Sequence, residues 1–429
     1  MTINIPDTKE NQQRIVIVGG GFAGLNLAKR LIKTNYQVVL IDKNNYHQFQ
    51  PLFYQVAMSG LEPSSIVFPL RKMFQKHKNV YIRVAEVTEI ETEKQYIHTE
   101  LGNLSYDHLV LAIGADTNFF GNEHIAKKAI PMKSVSEALY LRNMILDDFE
   151  KALVTTDFEQ RQKLIDIVIV GGGPTGVEVS GALAEMKKYI LPKDYPEMNC
   201  DEIEIHLLQG GDSLLKGMSE NASKSALKYL QELGVNVQLN TRVTDYDGEF
   251  VYVKGGEKIP TKKVIWAAGI TGNPMKGLPE SARCWGNRLR VNRLNQVNPY
   301  QNIYAIGDIC YMEEPDYPQG HPQVAQVAIQ QGKNLSKNFK LMEKNKPVKE
   351  FSYKDLGSMA TIGRNLAVVD LPSWKMNGLF AWFIWLFVHL FQLMGVKNRL
   401  FVFINWVWNY ITYDQSLRLI IKPKVRKES

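Results

Sequence analysis

The chain has 429 residues, of which 45% are hydrophobic and 22% are charged, and it carries a net charge of +7. This composition is typical of a folded protein of roughly three domains and excludes a disordered chain or a polytopic membrane protein. Cys200, Cys284 and Cys310 are too far apart in sequence for a CxxC pair or a zinc cluster, so we expect neither disulfide exchange nor a metal site. The polar N-terminal stretch MTINIPDTKENQQ lacks the apolar segment of a secretory signal, and the protein is expected to stay in the cytosol.

The first predicted unit is a strand, a glycine turn, a helix and a second strand, from Arg14 to Asp42. The run IVIVGGGFAGLNLAKRLIK contains Gly19, Gly21 and Gly24 in the GxGxxG spacing. In this spacing the first glycine makes a tight turn, the second admits a pyrophosphate and the third lets the helix pack on the strand. Asp42 ends the next strand, 18 residues after Gly24, where a carboxylate can accept hydrogen bonds from ribose hydroxyls. A glycine-rich turn alone is weak evidence, but strand, helix and acid together favour a dinucleotide site.

The same pattern is repeated from Asp166, in the run IVIVGGGPTGVEVSGALAEMKKY. Gly171, Gly173 and Gly176 have the same spacing, and the following strand EIHLLQ ends at Gln209. An NADH-preferring site usually has an acid at this strand end. Because an amide does not repel a 2'-phosphate as a carboxylate does, we predict that NADPH is accepted to some degree beside NADH. Two nucleotide sites favour a tightly held flavin in the first and an exchanging nicotinamide in the second, since a hydride donor must meet its acceptor.

Three further apolar strands end in small residues: HLVLAIGAD from His108, KVIWAAGI from Lys263 and NIYAIGDI from Asn302. Small residues at a strand end let the backbone come close to a ligand. The stretches 157–166 and 342–350 are the predicted linkers.

The last part of the chain, residues 377–421, contains two aromatic-rich apolar stretches. Residues 379–388 are ten consecutive apolar residues, and the stretch 379–396 has 18 residues, which is at the low edge for spanning about 30 Å of hydrocarbon. His389 and Gln392 would be costly at that depth. The pattern therefore predicts an amphipathic anchor that lies in the plane of the membrane.

Tryptophans and basic residues accompany these stretches. Five of the seven tryptophans lie here, and indole rings favour the headgroup boundary: Trp374, Trp382, Trp385, Trp406 and Trp408. The basic residues placed to meet anionic lipid are Lys397, Arg399, Arg418, Lys422, Lys424, Arg426 and Lys427. A buried dimer interface and a transmembrane helix are the alternatives. Nucleic acid is not an expected partner, because the aromatic residues cluster in apolar runs rather than between basic residues.

Seven further segments carry a family resemblance along the chain. They are KNNYHQFQPLFYQVA from Lys43, LAIGA from Leu111, GPTGVEVSGALAE from Gly173, WAAG from Trp266, YAIGD from Tyr304, AQVAIQQG from Ala325 and GSMATIGRNLAV from Gly357. With the two glycine turns, they resemble the two-dinucleotide-binding-domain flavoproteins and, within them, the type II NADH:quinone oxidoreductases. The resemblance covers nearly the whole chain, and the residues after Trp382 are similar to the membrane-binding tail of that family. The ending TYDQSLRLI differs from the family pattern in its acidic Asp414.

The resemblance implies an α/β fold with two Rossmann-like dinucleotide-binding domains, as in glutathione reductase, and a C-terminal membrane-anchoring helical module. The FAD-binding domain would be discontinuous, over 12–118 and 276–345. The NAD(P)H-binding domain would cover 119–275 and the membrane-binding domain 346–429.

The resemblance also implies an activity, and because the sequence contains no membrane-spanning proton channel, we expect this activity not to pump protons. Hydride would pass from NADH to non-covalently bound FAD, and two electrons would then reduce a membrane quinone, either ubiquinone or menaquinone. The expected use of NADPH beside NADH rests on Gln209 and not on the resemblance. The implied partners are this quinone and the bilayer surface. The protein would be a homodimer bound peripherally to the cytoplasmic face of the cell membrane.

The motifs and the resemblance assign site residues in three groups. Those expected at FAD are Gly19, Gly21, Phe22, Ala23, Gly24, Asp42, Lys43, Gln48, Ala112, Gly114, Gly307, Asp308, Ala325 and Gln326, with Tyr46, Pro51, Leu52 and Gln55 as further candidates. Those expected at NAD(P)H are Gly171, Gly173, Pro174, Thr175, Gly176, Glu178, Gln209, Ala268 and Gly269. The expected catalytic residues are Glu178, Gln326 and Gln330.

Several of these assignments compete with simpler roles. Asp308, expected at the ribityl chain, would also suit an Asx turn or a helix cap. Gln326 and Gln330 are expected near the flavin ring and the quinone headgroup. The alternative is that the helix face they share is simply exposed to solvent. Glu178, expected to position substrate or relay protons, would also suit the positive end of a helix dipole. Lys375 is a candidate headgroup or proton partner, or a charge that flanks the membrane.

Related classes of protein need features that this sequence lacks. Disulfide reductases share both glycine turns but need a reactive cysteine pair, and sulfide:quinone oxidoreductases need several reactive cysteines, for which Cys310 is poorly placed. A ferredoxin-type reductase would have no need for the aromatic tail. A non-catalytic redox sensor or a flavin-binding scaffold stays open, and the reduction of flavin by NADH would distinguish it from an enzyme.

Overall fold

The computed structural model describes residues 2–273, 275–413 and 417–421. These residues form two compact units. The first unit contains the described residues of Met1–His47, Phe68–Asp116 and Ile270–Asp355, and the second unit those of Gln48–Val67, Thr117–Gly269 and Leu356–Ser429. Five residues considered above lie outside the described part of the chain: Asp414, Lys422, Lys424, Arg426 and Lys427.

The helices are spread along the whole described chain. They are α1 (Phe22–Leu31), α2 (Phe53–Ala57), α3 (Pro63–Ile66), α4 (Leu70–Phe74), α5 (Glu123–Lys128), α6 (Val135–Val154), α7 (Phe158–Ile165), α8 (Pro174–Tyr189), α9 (Leu191–Asp194), α10 (Glu220–Glu232), α11 (Ala325–Met342), α12 (Leu379–Gln392) and α13 (Val396–Thr412). Short 3₁₀ turns lie at Gln50–Leu52, Cys200–Glu202, Glu280–Ala282, Trp285–Asn287 and Gly307–Ile309.

The strands are mostly short. They are β1 (Arg14–Val18), β2 (Gln37–Asp42), β3 (Tyr46–Gln48), β4 (Val67–Pro69), β5 (Val80–Val84), β6 (Val87–Glu91), β7 (Tyr96–Thr99), β8 (Gly102–Ser105), β9 (His108–Leu111), β10 (Ala115–Thr117), β11 (Ile130–Pro131), β12 (Ile167–Val170), β13 (Ile205–Leu208), β14 (Asn236–Gln238), β15 (Val243–Tyr246), β16 (Phe250–Val253), β17 (Lys258–Pro260), β18 (Val264–Trp266), β19 (Ile270–Gly272), β20 (Arg283–Cys284), β21 (Arg288–Arg290), β22 (Ile303–Ala305), β23 (Cys310–Tyr311), β24 (Ser358–Gly363), β25 (Leu366–Asp370) and β26 (Lys375–Asn377).

The core of the first unit is a parallel sheet in the order β22-β9-β1-β2-β5. In its centre Val16 of β1 pairs with Val39 of β2 on one side and with Leu109 of β9 on the other. All residues of β1 are buried, as expected for a central strand covered on both faces. α1 and α11 pack closely, because a Cβ at Gly332 would lie only 2.6 Å from the carbonyl oxygen of Ala23. Any other residue at position 332 would therefore push the two helices apart.

The second unit repeats this arrangement with the sheet β11-β18-β12-β13-β14. Ile169 of the buried strand β12 pairs with Leu207 of β13 and with Ile265 of β18. The two predicted strand, turn and helix units and the later strands β9, β18 and β22 are thus confirmed. So is the α/β class with two dinucleotide-binding folds.

A small antiparallel sheet, β24-β25-β26, joins the tail of the chain to the second unit. β24 packs on α8 at Gly181, where a Cβ would collide with the carbonyl group of Ile362. α12 packs on the next strand, β25. The tail helices therefore belong to the same compact unit as the second glycine turn.

The boundaries of the compact units differ from those of the sequence-based domains, and two of the differences concern long segments. Residues 48–67 were expected in the FAD-binding domain but belong to the second unit, because α2 packs on α6 and α8. The described residues after 355 were expected as a separate module but also belong to the second unit. In addition, the predicted linker 157–166 is wrong. It is helical over Phe158–Ile165, and the side chain of Asp157 caps the helix by accepting the N–H of Gln160 at 2.8 Å.

α12 has one face against the protein and one face in solvent. The buried face carries Ala381, Trp385 and His389. The opposite face carries four phenylalanines that are between 52% and 76% exposed: Phe380, Phe383, Phe387 and Phe391. α13 adds further exposed apolar side chains: Val396, Leu400, Phe401, Phe403, Ile404, Val407, Trp408 and Ile411. In the described part of the chain no helix combines the length and the apolar character needed to cross a membrane.

Candidate functional site

The first glycine turn lies between β1 and α1. Gly19 has a φ of +105°, and a Cβ there would collide with the carbonyl group of Ala112. A Cβ at Gly24 would collide with the carbonyl group of Gly19, so the helix rests directly on the turn. At Gly21, by contrast, a Cβ would meet nothing within 4 Å. The start of α1 is therefore open where the glycine pattern predicts a pyrophosphate, and the residues present fit that group.

Asp42 closes this turn from the end of β2. Its carboxylate accepts the N–H of Gly20 at 2.6 Å and the N–H of Asn44 at 2.7 Å. Burial raises the pKa of Asp42, and the two N–H groups oppose this rise. His47 lies behind the turn, with Nδ1 3.0 Å from the carbonyl oxygen of Gly20, and burial lowers its pKa to about 4. Phe22 packs edge-on against this neutral imidazole. The predicted acid is thus held beside the turn by several contacts.

A second part of the first unit's site is the turn that follows β22. Gly307 has a φ of +77°, and its N–H donates to Oε1 of Gln331 at 2.7 Å. Nε2 of the buried Gln331 donates in turn to the thiol of Cys310 at 3.4 Å. Asp308 follows in the same turn, and its carbonyl oxygen accepts a hydrogen bond from Gln323 at 2.9 Å. α11 therefore holds the Gly307–Asp308 turn through the amide of Gln331.

Gln326 and Gln330 lie one turn apart on α11, as their spacing predicts. Nε2 of Gln326 donates to the carboxylate of Asp355 at 3.3 Å. The amide of Gln330 forms two hydrogen bonds with the backbone of Lys354, at 2.8 and 3.1 Å. This face of α11 thus meets the segment 354–355 within the first unit.

The other FAD candidates divide between the two units. In the first unit are Ala23 in α1, Lys43 after β2, Tyr46 in β3, Ala112 and Gly114 after β9, and Ala325 at the start of α11. In the second unit are Gln48, Pro51, Leu52 and Gln55. The side-chain oxygen of Gln48 accepts the N–H of Val135 at 3.1 Å. The contiguous sequence from Lys43 to Gln55 is therefore shared between two compact bodies.

The second glycine turn has the geometry of the first. Gly171 has a φ of +113°, and a Cβ there would collide with the carbonyl group of Ala267. A Cβ at Gly176 would collide with the carbonyl group of Gly171, whereas one at Gly173 would meet nothing within 4 Å. Pro174 begins α8, at a position where a helix has no use for a backbone N–H. A second open site for a pyrophosphate thus lies at the start of α8.

Gln209 occupies the position that Asp42 has in the first turn. Its Oε1 accepts the N–H of Gly172 at 2.9 Å, and its Nε2 donates to the carbonyl oxygen of Ser213 at 3.1 Å. The amide therefore supports the turn as the carboxylate does, but without a negative charge. The remaining NAD(P)H candidates are Thr175 in the first turn of α8 and Ala268 and Gly269 after β18.

Glu178 lies one turn into α8 and faces a cavity of about 140 Å³ in the second unit. Its carboxyl group accepts the N–H of Thr361 at 3.5 Å. Burial raises the pKa of Glu178 to about 8, while that N–H and the indole of Trp385 oppose the rise. The carboxyl group is therefore protonated at neutral pH. A buried acid of this kind is suited to hold and transfer a proton.

Aromatic side chains from α2 and from the tail line the same cavity. The hydroxyl of Tyr54 accepts a hydrogen bond from Nε2 of Gln55 at 2.7 Å, and Oε1 of Gln55 accepts one from the indole of Trp406 at 2.7 Å. His389 stacks on Trp385 with 4.0 Å between ring centroids, and burial lowers its pKa to about 4. Gln55 is thus tied to the tail, and His389 is neutral and buried within protein.

The sequence and the fold have known relatives. Residues 13–332 match the model of the pyridine nucleotide-disulphide oxidoreductase family, and residues 356–412 match that of the NDH2 C-terminal domain. A type II NADH:quinone oxidoreductase of Mycobacterium tuberculosis is 35% identical over 416 residues, which cover 94% of this chain and 89% of that protein. The chain belongs to the type II NADH:quinone oxidoreductases.

Solved structures resemble this oxidoreductase over nearly its whole length. The structure of NDH2 from Plasmodium falciparum in complex with NADH has a TM-score of 0.87 at 25% identity and covers 96% of this chain and 100% of that chain. The sulfide:quinone oxidoreductase of Aquifex aeolicus has a TM-score of 0.71 at 18% identity and covers 93% of this chain and 95% of that chain. This second likeness shows a shared fold.

The thiols of this oxidoreductase are poor nucleophiles. Burial raises the pKa of Cys310 to about 12, although Arg288 opposes the rise. Burial also raises the pKa values of Cys200 and Cys284. Because the thiolate is the reactive form, these side chains do not suit the thiol chemistry of the disulfide reductases.

Sequence reasoning missed four residues of these sites: Tyr54, Glu185, Gln331 and Arg364. Two of them had a signal in the sequence. Glu185 follows Glu178 by seven residues, a spacing that places both on one helix face. Gln331 stands next to Gln330 in AQVAIQQG and, unlike Gln326 and Gln330, lies on the buried face of the helix. Tyr54 and Arg364 reach the cavity only through tertiary packing.

Proposed function

We propose that this chain is a flavin-dependent NADH:quinone oxidoreductase that pumps no protons. Oxidation of NADH, reduction of a quinone and the use of FAD are the activity of the family to which the chain belongs. The observation that carries the proposal is the pair of open glycine turns, at Gly21 and at Gly173, since one holds an electron carrier and the other its hydride donor.

We assign FAD to the first turn and NADH to the second. FAD, when bound, accepts a hydride and passes on two electrons. In the first unit Asp42 would accept hydrogen bonds from the FAD ribose, and Asp308 would bind the ribityl chain. Two contacts support these roles: Asp42 is fixed by the N–H of Gly20, and the turn before Asp308 is fixed by Gln331.

The side chain that follows β13 sets the choice between NADH and NADPH in this proposal, because an acidic residue there would repel a 2'-phosphate and a neutral one would not. Gln209 supports its turn without a carboxylate, so a 2'-phosphate would meet no repulsion from this side chain. We expect measurable turnover with NADPH. Steady-state kinetics with both nucleotides test this, and a preference for NADH in kcat/KM of more than about 10³ would contradict it.

The residues that we assign to quinone reduction are Gln326 and Gln330 in the first unit and, separately, Glu178 in the second. Gln326 would contact the quinone headgroup, as the resemblance implies, and Gln330 lies on the same face of α11, in the segment that would border the flavin ring and the headgroup. Glu178 would give a proton to the reduced quinone. Its buried, protonated carboxyl group and the apolar rings around its cavity support this role, because a lipid-soluble acceptor and a stored proton both need a site that excludes bulk water.

The tail supports a peripheral attachment to a membrane surface. The exposed phenylalanines of α12 and the apolar side chains of α13 would enter the headgroup region, and Lys397 and Arg399 in the first turn of α13 would meet anionic lipid. We place this surface on the cytoplasmic face of the cell membrane. The homodimer implied by the resemblance stays a prediction, and light scattering in detergent would test it.

The deciding experiment follows the visible spectrum of the purified protein. NADH should bleach the flavin band, and a short-chain quinone should restore it with one quinone consumed per NADH. Flavin that NADH does not reduce would contradict an enzymatic role. Flavin that NADH reduces but quinone does not reoxidise would instead favour a redox sensor.

A further inference from the structure

Phe120 lies in the loop that precedes α5 of the second unit, in a conformation that costs free energy. Its φ is +52°, in the left-handed region, where a bulky side chain crowds its own backbone. Its side chain is also 62% exposed, so the ring gains little from burial. A residue held in a strained conformation with its apolar ring in solvent points to a ligand that the ring contacts.

Hydrogen bonds on both sides of Phe120 hold this loop in place. The N–H of Phe120 donates to the side-chain oxygen of Asn118 at 2.8 Å, which closes an Asx turn. The N–H of Asn118 donates to the carbonyl oxygen of Gly269 at 3.0 Å, and its carbonyl oxygen accepts the indole N–H of Trp266 at 2.8 Å. Phe119 stacks on Trp266 with 6.1 Å between the ring centroids. The positive φ of Phe120 is therefore imposed by its surroundings.

The ring of Phe120 lies against the backbone of Gly269, which follows β18. A Cβ added at Gly269 would come 3.2 Å from Cζ of Phe120, so the ring and the glycine are in close contact. A Cβ at Gly171 would collide with the carbonyl oxygen of Ala267 and come 2.7 Å from Cα of Ala268. Since consecutive Cα atoms are about 3.8 Å apart, the ring lies one residue beyond the point where the second glycine turn meets this strand end.

The strand order of the sheet indicates which half of a dinucleotide this ring would meet. The order is β11-β18-β12-β13-β14, and the glycine turn that faces the pyrophosphate follows β12. Gln209 follows β13, on one side of β12, where the ribose of the adenine half is expected. Gly269 follows β18, on the other side of β12. With the adenine half toward β13, the nicotinamide half extends toward β18 and Phe120.

An aromatic ring in this position suits a nicotinamide riboside. The ring can lie flat on the nicotinamide or cover a face of its ribose, and either contact buries apolar surface of both partners. For bases that stack on aromatic side chains, removal of the aromatic ring typically weakens binding by about tenfold or more. Contact with the nucleotide would thus offset the free energy that exposure and the left-handed conformation cost at Phe120.

We propose that Phe120 binds the nicotinamide half of NADH by packing its ring on the nicotinamide riboside. The inference rests on the proposed assignment of NADH to the second glycine turn and adds to it a residue outside that turn. NADPH makes the same contact, because the two nucleotides differ only at the adenine ribose. Phe120 therefore sets the affinity for the nicotinamide half, whereas Gln209 acts on the adenine half.

Anaerobic stopped-flow reduction of the flavin-loaded enzyme tests this contact, because the dependence of the rate on NADH concentration separates binding from hydride transfer. Phe120→Gly removes the ring and accepts a positive φ. We expect the NADH concentration that gives half the maximal rate to rise by about tenfold. The maximal rate should change less, and reoxidation by a short-chain quinone should keep the wild-type rate. Phe120→Tyr keeps the ring and should retain most of the affinity.

Two fragments of the nucleotide locate the contact. Reduced nicotinamide mononucleotide contains the nicotinamide half alone, and Phe120→Gly should weaken its binding by a factor similar to that for NADH. AMP contains the adenine half alone, and its inhibition constant against NADH should be the same for the variant and the wild type. An inhibition constant for AMP that rises in the variant, with unchanged binding of the mononucleotide, would overturn the proposal, because the ring would then lie on the adenine half.

Thermal unfolding separates this role from a structural one. Because glycine tolerates a positive φ, Phe120→Gly should unfold at the wild-type temperature or above it, although it binds NADH less well. Phe158→Ala removes a similarly exposed ring from α7 of the same unit and is the matched control, with unchanged affinity for NADH. Weaker NADH binding together with a lower unfolding temperature in Phe120→Gly would show that the ring supports the fold, and would overturn the proposal.

The remaining outcomes separate this contact from the proposed function. Wild-type affinity for NADH in Phe120→Gly would overturn the contact and leave the proposed function standing. If NADH fails to reduce the flavin of the wild-type enzyme, the proposed function itself is wrong.

Discussion

The buried acid Glu178 should make the stability of the folded protein depend on pH. Its pKa is raised from 4.5 to about 8 in the folded state, chiefly by burial. Between these values the unfolded chain has lost the proton and the folded chain still binds it. The unfolded state thus binds fewer protons, and stability falls as pH rises. Each pKa unit corresponds to about 1.4 kcal/mol, so the loss between pH 4.5 and 8 is at most about 5 kcal/mol.

The variant Glu178→Gln tests this reasoning, because a glutamine keeps the size of the side chain but does not ionise. We expect the variant to gain stability over the wild type steadily from pH 5 to pH 8, with no further gain above pH 8. Urea unfolding of the flavin-loaded protein, followed by flavin fluorescence and circular dichroism at each pH, measures the difference. The exposed Glu232→Gln is the control and should show no such trend. A stability difference between Glu178→Gln and wild type that is the same at every pH would refute the argument.

Three other changes test the sites separately. Gln331→Met removes the acceptor of the buried Gly307 N–H, which costs about 1–3 kcal/mol. The purified protein should therefore contain less flavin, as measured by absorbance at 450 nm. Full flavin content would contradict the role of Gln331 in holding the Gly307–Asp308 turn. Gln209→Glu should raise the KM for NADPH by about tenfold more than that for NADH, since only NADPH brings a second negative charge; an equal change for both would count against this role. Phe383→Glu with Phe387→Glu should weaken sedimentation with vesicles that contain anionic lipid, whereas Phe158→Glu on α7, also exposed, should not. Equal sedimentation of all these proteins would show that α12 is not the contact surface.

The sequence alone determined the parts of this protein that depend on short-range geometry. Each glycine turn is a strand, a tight bend and a helix within a few residues, and the open positions at Gly21 and Gly173 follow from local backbone conformation. The acid at Asp42 and the amide at Gln209 also lie where the end of the next strand must place them. A local pattern of this kind is visible before any tertiary contact is known.

The tertiary structure alone decided which distant segments meet. Nothing in the pattern around Tyr54 or Arg364 indicates that both border one cavity with Glu185, because their approach results from packing α2 and β24 against α8. The position of His389 is also decided by tertiary packing. In the sequence it interrupts an apolar run, and in the fold it stacks on Trp385 on the buried face of α12. The stretch 157–166, predicted as a linker, is a helix whose cap at Asp157 is a local signal that sequence reasoning missed, whereas the burial of Leu164 and Ile165 is decided by the tertiary structure. Local sequence thus specified the two nucleotide turns, and long-range burial, which depends on all segments at once, specified the acid-lined cavity.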